Sequence, residues 1–242
     1  MPVCVRSTST FMETHETLLF PYIKVSGNHL LEMRAAGYFE VKRLMDFLFS
    51  ACSLVVLLPL FALIAVVLFL DSPGPVFYRQ ERVTQKGKPF QIWKFRSMVP
   101  GARDLQFSRG IQAEALVTRF GRLLRRTHFD EFPQLINVLL GDMSLVGPRP
   151  LMTKWVGERA QANPMALQRF KVKAGMAGLE RLFFLLQDDA PALARFFPGL
   201  ASFIGSTDLG YLDSYYVNHV SPALDLKIFA LTFYMSLKRF FG

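Results

Sequence analysis

Phe47 to Leu70 reads FLFSACSLVVLLPLFALIAVVLFL, an uncharged apolar run bracketed by Asp46 and Asp71. As a straight helix it would rise roughly 36 Å, enough to cross a bilayer core of about 30 Å. It is not a secretory leader: it starts late, runs long, and no small-residue cleavage site follows it. Pro59 stands at its centre. Proline removes a backbone donor and collides with the preceding turn, so a kink or break is expected there. Each half would then measure about 18 Å, too short to span alone.

The flanks sharpen this reading. Lys42 and Arg43 precede the run, and Arg79, Arg82, Lys86, Lys88, Lys94 and Arg96 follow it. A spanning helix cannot satisfy the positive-inside bias at both ends, whereas a helix that dips in, bends at Pro59 and returns can. A re-entrant helix-break-helix is therefore favoured over a proline-kinked span, which membrane helices tolerate. A buried helix of a soluble core ranks third, because the uncharged stretch is too long.

Working outward, the 242 residues suffice for one domain plus a membrane element. Hydrophobic residues make up 51% and phenylalanine alone numbers 24, rich for a soluble domain. The net charge of +9 points to an anionic partner surface: phospholipid, nucleotide or nucleic acid. The two cysteines, Cys4 and Cys52, form no C-x-x-C pair, and the four histidines lack metal-ligand spacing. Neither a phosphate-binding G-x-x-x-x-G-K-[ST] loop nor a G-x-G-x-x-G turn is present.

Residues 1–40 read as a variable segment without a defensible motif, 41–71 as the membrane element, and 72–242 as the remaining domain. The fold class is α/β, mainly α with a small β-hairpin. Val76–Val83 and Phe90–Met98 are the hairpin strands, joined at Gln85–Lys88. Arg119–Arg126 is helical, as is Pro133–Leu140, which Gly141 ends. Lys154–Lys173 is helical with an interruption at Asn163-Pro164, and the proline- and glycine-punctuated stretch 190–210 reads as loop. Leu224–Phe241 has the pattern of an amphipathic helix, suited to a membrane interface or to docking on the domain.

Chemistry concentrates between Thr127 and Pro150, THFDEFPQLINVLLGDMSLVGPRP. Asp130 and Glu131 sit at the mouth of a helix beside Arg125 and Arg126, which favour their ionised state. One carboxylate of such a pair can attack while the other holds a hard cation. Asp142 adds a third oxygen ligand candidate. Prolines on both sides of Arg149 restrict its backbone, and a pre-positioned guanidinium suits bidentate phosphate binding. Arg79, Lys94 and Arg96 extend the basic set, or form a solvated hairpin face toward anionic lipid.

Three blocks together resemble the bacterial sugar transferases, the monotopic phosphoglycosyl transferases. Lys42-Arg43-Leu-Met-Asp46 with the apolar run looks like the family's membrane helix. Ser72-Pro-Gly-Pro-Val-Phe-Tyr-Arg-Gln80 with Lys94-Phe-Arg-Ser-Met98 looks like its hairpin, and Leu124 to Pro150 like its active-site block. A weaker echo lies at Leu224-Asp-Leu-Lys-Ile228. The resemblance implies transfer of a sugar phosphate from a nucleotide diphosphate sugar to polyprenyl phosphate, by a cytosolic catalytic domain on the bacterial inner membrane. It implies Asp130 as nucleophile, Glu131 as its partner acid associated with Mg²⁺, and Arg149 in a phosphate-binding turn.

On that reading Arg79, Lys94, Arg96, Arg125, Arg126 and Arg149 bind substrate, Asp130 and Glu131 are catalytic, and Asp130, Glu131 and Asp142 hold the metal. Expected partners are the two substrates and membrane lipid, with no nucleic acid, and a homodimer is left open. An inactive membrane scaffold of the same fold is the alternative. Departures from the family pattern are Leu58 before the membrane proline, Thr127-His128-Phe129 for Thr-Ser-Leu, and Glu180-Arg-Leu-Phe-Phe184 where a Gln-Val and then Gly-Arg are usual. Residues 182–210 form an unusually apolar stretch, a candidate for contact with membrane or a partner.

Overall fold

The computed structural model describes residues 29–162, 164–186, 190–203 and 209–241. Residues 1–28 of the expected N-terminal segment lie outside that set.

Helix α1, His29–Asp71, starts before the expected boundary and runs through Pro59 without interruption. The expected helix-break-helix is corrected to one helix. Proline deletes a single intrahelical bond, and the bonds on either side persist. Docking also holds both halves on one scaffold. Asp46, Ser50, Phe61, Ile64 and Leu68 are buried along one stripe, and Leu54, Leu57 and Leu60 are half-buried on it. Steps of three and four residues keep such a stripe on one helix face. Val55, Val56, Leu58, Leu63, Val66 and Leu70 stay exposed on the rest of the surface.

The hairpin follows as expected: β1 Phe77–Val83 pairs antiparallel with β2 Pro89–Phe95, Phe77 opposite Phe95. Its tight turn is Gln85–Gly87, with Lys86 at φ 58°. Helix α2 spans Ala102–Arg109. Helix α3, Arg119–Thr127, begins at Thr118, whose hydroxyl accepts from the Gly121 N–H at 3.0 Å. A 3₁₀ turn at Phe129–Glu131 leads into α4, Gln134–Leu140, and Gly141 closes α4 at φ 90°. Arg43 of α1 reaches that helix end and donates to the carbonyls of Val138 (2.6 Å) and Leu139 (2.8 Å). A guanidinium at a helix C-terminus satisfies carbonyls that have no partner within the helix.

A parallel strand pair was not legible in the sequence: β3 Met143–Val146 against β4 Ala174–Ala177. Between them lie α5, Thr153–Ala162, and a 3₁₀ segment, Pro164–Lys171. The chain beyond β3 stays attached to β4, with Gly147 N–H donating to the Ala177 carbonyl (2.9 Å) and Gly175 N–H to that of Pro148 (2.8 Å). Gly175 has no room for a Cβ, which would meet the Gly147 backbone. This close approach fixes the departure angle of the Pro-Arg-Pro turn.

The remainder is helical: α6 Leu179–Leu185, α7 Ala190–Phe196, a 3₁₀ turn Pro198–Phe203, α8 Leu209–His219 and α9 Pro222–Phe241. The expected loop over 190–210 is corrected by α7 and the turn after it; 204–208 lie outside the described residues. Leu182, Leu193, Phe197, Leu200, Leu212 and Ile228 are buried together with Val146 and Tyr216. Thus Leu182, Phe183, Leu193, Phe197 and Leu200 of this stretch contribute to the main core, while Phe184 stays exposed. Phe61, Ile64 and Leu68 of α1 pack in a second cluster with Phe95 and Leu124.

Two glycines test this picture in opposite directions. Gly175→Ala should cost about 2 kcal/mol, lowering the melting temperature by roughly 4–8 °C. At Gly157 of α5 an added Cβ would meet nothing within 4 Å, so Gly157→Ala should leave stability unchanged or raise it by up to about 1 kcal/mol. Thermal unfolding in one detergent checks both.

Candidate active site

The 3₁₀ turn between α3 and α4 places Asp130 and Glu131 inside the protein, at 9% and 7% exposure. Three cations from three separate elements meet at Glu131. Lys94 of β2 donates to Oε1 at 2.8 Å, Arg149 of the turn after β3 donates to the same oxygen at 3.3 Å, and Arg181 of α6 donates to Oε2. Burial alone would push the Glu131 carboxyl up; Lys94, Arg181 and Arg149 outweigh it and hold it well below the usual carboxylate range. Asp130 goes the other way. Burial, and then the neighbouring Glu131 charge, raise it to about 6 against the pull of Lys94, Arg125 and Arg181. Among the described residues its carboxylate accepts no hydrogen bond.

The pair is therefore chemically divided. Glu131 is a fixed anion saturated by cations. Asp130 is ionised at neutral pH, poorly solvated and unpartnered, which is the condition of a carboxylate able to attack an electrophile. Lys94, Arg149 and Arg181 form a positive wall that can receive phosphate oxygens.

A second buried charge network supports the wall from behind. Arg169, 3% exposed, donates to the Arg149 carbonyl and lies 3.0 Å from Asp213 and 3.8 Å from Glu180. Arg159 approaches Glu180 at 3.6 Å. The adjacent pair Glu180-Arg181 thus serves both networks, with Glu180 facing Arg169 and Arg181 facing Glu131. Arg82 donates to the Pro150 carbonyl at 3.2 Å and Gly175 N–H to that of Pro148, so the Pro-Arg-Pro turn is gripped on both sides of Arg149.

Of the residues singled out from sequence, Asp130, Glu131, Lys94 and Arg149 come together. Arg125 contributes its charge to Asp130 while donating to Ser97 Oγ at 2.8 Å. Arg126 is exposed on α3. Arg79 stacks on Trp93, its guanidinium 4.7 Å from the ring centre. It pairs with Trp93 while Tyr78 pairs with Lys94, so strand alternation puts it on the face away from Lys94. Arg96 is buried and donates to the Ser72 carbonyl, bracing the Ser72–Pro75 turn. Asp142 stands 4.0 Å from Lys88. Among the described residues no three His, Cys, Asp or Glu side chains gather as a metal site.

Arg181 and Arg169 were missed. The signal available was a lone pair of opposite charges, Glu180-Arg181, in an otherwise apolar run; only the fold shows that each reaches a different buried partner.

Helix α1 is long and apolar enough to cross a membrane, and a buried, unequal acid pair lies among three cations. The chain belongs to the bacterial sugar transferase family, whose sequence model matches residues 37–239. It is 37% identical over 207 residues to the exopolysaccharide production protein PSS of Rhizobium leguminosarum bv. phaseoli, covering 82% of this chain and 96% of that one. It is 41% identical over 138 residues to the UDP-glucose:undecaprenyl-phosphate glucose-1-phosphate transferase of Escherichia coli (strain K12), covering 57% and 30%. Similarity to the UDP-N-acetylgalactosamine-undecaprenyl-phosphate N-acetylgalactosaminephosphotransferase of Aeromonas hydrophila is 38% over 141 residues, covering 58% and 33%. The matched region thus spans about a third of the length of these last two relatives.

The raised Asp130 carboxyl has a stability signature. The folded state holds this proton more tightly than the unfolded chain, so its contribution is present at low pH and is lost as pH rises through about 6. Asp130→Asn should therefore stabilise the protein above pH 6, by about 1–3 kcal/mol, and change little near pH 4. Arg181→Gln should move the Asp130 titration upward, because a favourable positive charge is removed. Thermal melts across pH and carboxyl NMR titration read these shifts.

Proposed function

We propose that this protein is a phosphoglycosyl transferase that moves a sugar 1-phosphate from a nucleoside diphosphate sugar to polyprenyl phosphate, opening the membrane phase of a surface polysaccharide or glycoconjugate. The observation that carries the proposal is the division of the acid pair: an unpartnered Asp130 beside a Glu131 that holds Lys94, Arg149 and Arg181 in one place. The names of the E. coli and A. hydrophila relatives support a UDP-linked donor and undecaprenyl phosphate as acceptor. They differ in the sugar, so the sugar is left open.

In the proposed reaction an Asp130 carboxylate oxygen attacks the phosphorus bonded to the sugar. The bond from that phosphorus to the bridging oxygen breaks, and nucleoside monophosphate leaves with the electron pair. The phosphosugar is then an acyl phosphate on Asp130. An oxygen of polyprenyl phosphate attacks the same phosphorus, a polyprenyl diphosphate sugar forms, and the carboxylate is restored. Lys94, Arg149 and Arg181 orient the diphosphate and offset charge that builds on the leaving group. Attack by an anion on an anionic diphosphate requires this neutralisation and a water-poor site, and burial of the pair supports both.

Magnesium is the proposed cofactor. It binds through one or two carboxylates together with substrate phosphates and retained water; with both Glu131 oxygens engaged by Lys94, Arg149 and Arg181, Asp130 and the donor's phosphates would hold it. When bound, it would withdraw charge from the diphosphate.

We propose that α1 enters and leaves the cytosolic leaflet of the inner membrane on one face, which requires it to bend at Pro59 while remaining helical. Both halves dock on the same domain, which supports this topology. Lys42 and Tyr38 hold Asp225 of α9, and Asp46 accepts from the Leu145 N–H at 3.2 Å, while Phe61, Ile64 and Leu68 pack with Phe95 and Leu124. A span would carry one of these docking surfaces across the bilayer. Leu226, Phe233, Tyr234 and Leu237 give α9 an exposed apolar face, and Phe49 meets Phe229 edge-on at 5.3 Å where the two helices adjoin. That arrangement supports α9 as an interfacial helix.

Incubation with nucleotide sugars labelled in the phosphate next to the sugar should trap label on the wild type and none on Asp130→Asn, whose transfer should fall by at least about 10³-fold. Absence of label with every donor in a broad panel would establish the scaffold alternative. Cysteines placed before Lys42 and after Asp71 should react with an impermeant reagent from the same side of the membrane; reaction from opposite sides would refute the one-face topology.

A further inference from the structure

A second cluster of cations lies at the root of α1, apart from the acid pair. A cavity of about 90 Å³ is lined there by Lys42, Arg43, Asp46, Ser144, Lys173 and Tyr216, among others. It shares no residue with the Asp130–Glu131 site. Most of its polar groups are already engaged: Lys42 with Asp225, Arg43 with the carbonyls that end α4, Asp46 with the Leu145 N–H, and the Tyr216 hydroxyl with Asp225 at 2.8 Å.

Two are not. Ser144 is 2% exposed, and its Oγ has no hydrogen-bond partner. Lys173 forms no ion pair among the described residues; burial, and then the Arg43 charge, lower its ammonium group below its ordinary range against the opposing pull of Asp46 and Asp142. A buried hydroxyl without a partner is costly, and so is a cation desolvated next to another cation. The Arg43 guanidinium donates to neutral carbonyls and the Asp46 carboxylate accepts from a neutral N–H, so both charges persist at the cavity, where Lys173 leaves the balance positive. The volume matches about three waters, room for one phosphate group.

We propose that this cavity is a binding site for a phosphate group, held by Lys173 and Ser144 with Arg43 behind them. Its position suits a phosphate carried on lipid: Leu44, Met45 and Leu48, immediately past Lys42 and Arg43, are exposed apolar residues at the start of the membrane run. Free inorganic phosphate offers the same chemistry, so the test separates the two sources. The proposal does not depend on the transferase reading, because its readout involves no turnover.

The experiment measures the acetylation rate of Lys173 by peptide mass spectrometry on the full chain in an uncharged maltoside detergent. Three conditions are compared: chloride, inorganic phosphate at equal ionic strength, and micelles containing phosphatidylglycerol. Exposed Lys86 in the hairpin turn is the internal reference. The ammonium of a lysine bound to phosphate is less available to acylate, so Lys173 should react about fivefold or more slowly with a phosphate source, while Lys86 is unchanged.

Protection by phosphatidylglycerol alone identifies lipid as the carrier, and protection by inorganic phosphate alone identifies a soluble anion. Ser144→Ala should weaken the protection, and Arg149→Met should leave it intact, since Arg149 belongs to the other site. Equal Lys173 rates in all three conditions would overturn the proposal. Protection that vanishes in Arg149→Met and survives in Ser144→Ala would overturn it as well, tracing the effect to the acid-pair site.

Discussion

Glu131 is where the chain's separate parts are tied together. Its carboxylate is the shared acceptor for Lys94 from the hairpin, Arg149 from the turn after β3, and Arg181 from the first helix after β4. Without a central anion these three cations would repel one another in a poorly solvated space, at a cost on the order of several kcal/mol. With it they become a preorganised wall, and Asp130 next door is left as the one acid of the pair with open lone pairs. The unequal titration of the two acids follows from this geometry: the same burial acts on both, and only Glu131 is compensated.

The supporting shell repeats the logic one layer deeper. Arg169 is buried within ion-pair distance of Asp213 and Glu180, and its Nη2 donates to the backbone carbonyl of Arg149. Gly147 and Gly175 allow the β3 and β4 backbones to approach, which sets the direction in which the Pro-Arg-Pro turn leaves the sheet. The rigidity of Arg149 therefore comes from local proline stiffness, a strand contact and a buried ion network acting together.

Features with a local cause were legible in the sequence. The hairpin, α3, α4 with its glycine stop, the acid pair and the Pro-Arg-Pro turn all announce themselves in adjacent residues. Features made by distant pairing were not. Strands β3 and β4 have four residues each and only acquire a partner across an intervening helix and 3₁₀ segment. Arg181 reads as an isolated charge until α6 swings it onto Glu131. Composition alone was ambiguous: the phenylalanine- and leucine-rich stretch after Arg181 carries the same apolar signal as a membrane contact, and its packing with α8 and α9 shows which of its residues are core. At Pro59 a local rule predicted a break, yet a docked stripe on both sides keeps the helix whole.

The clasp between Lys42 and Asp225 joins residues 183 positions apart. During synthesis the anchor leaves the ribosome well before the acid that pairs with Lys42. Until then Lys42 has only lipid and water as partners, and α1 can settle in the bilayer before any domain exists to dock on it. Helix α9 thus adds a late latch to an anchor that Arg43, Asp46 and the Phe61–Leu68 stripe already fasten to the domain.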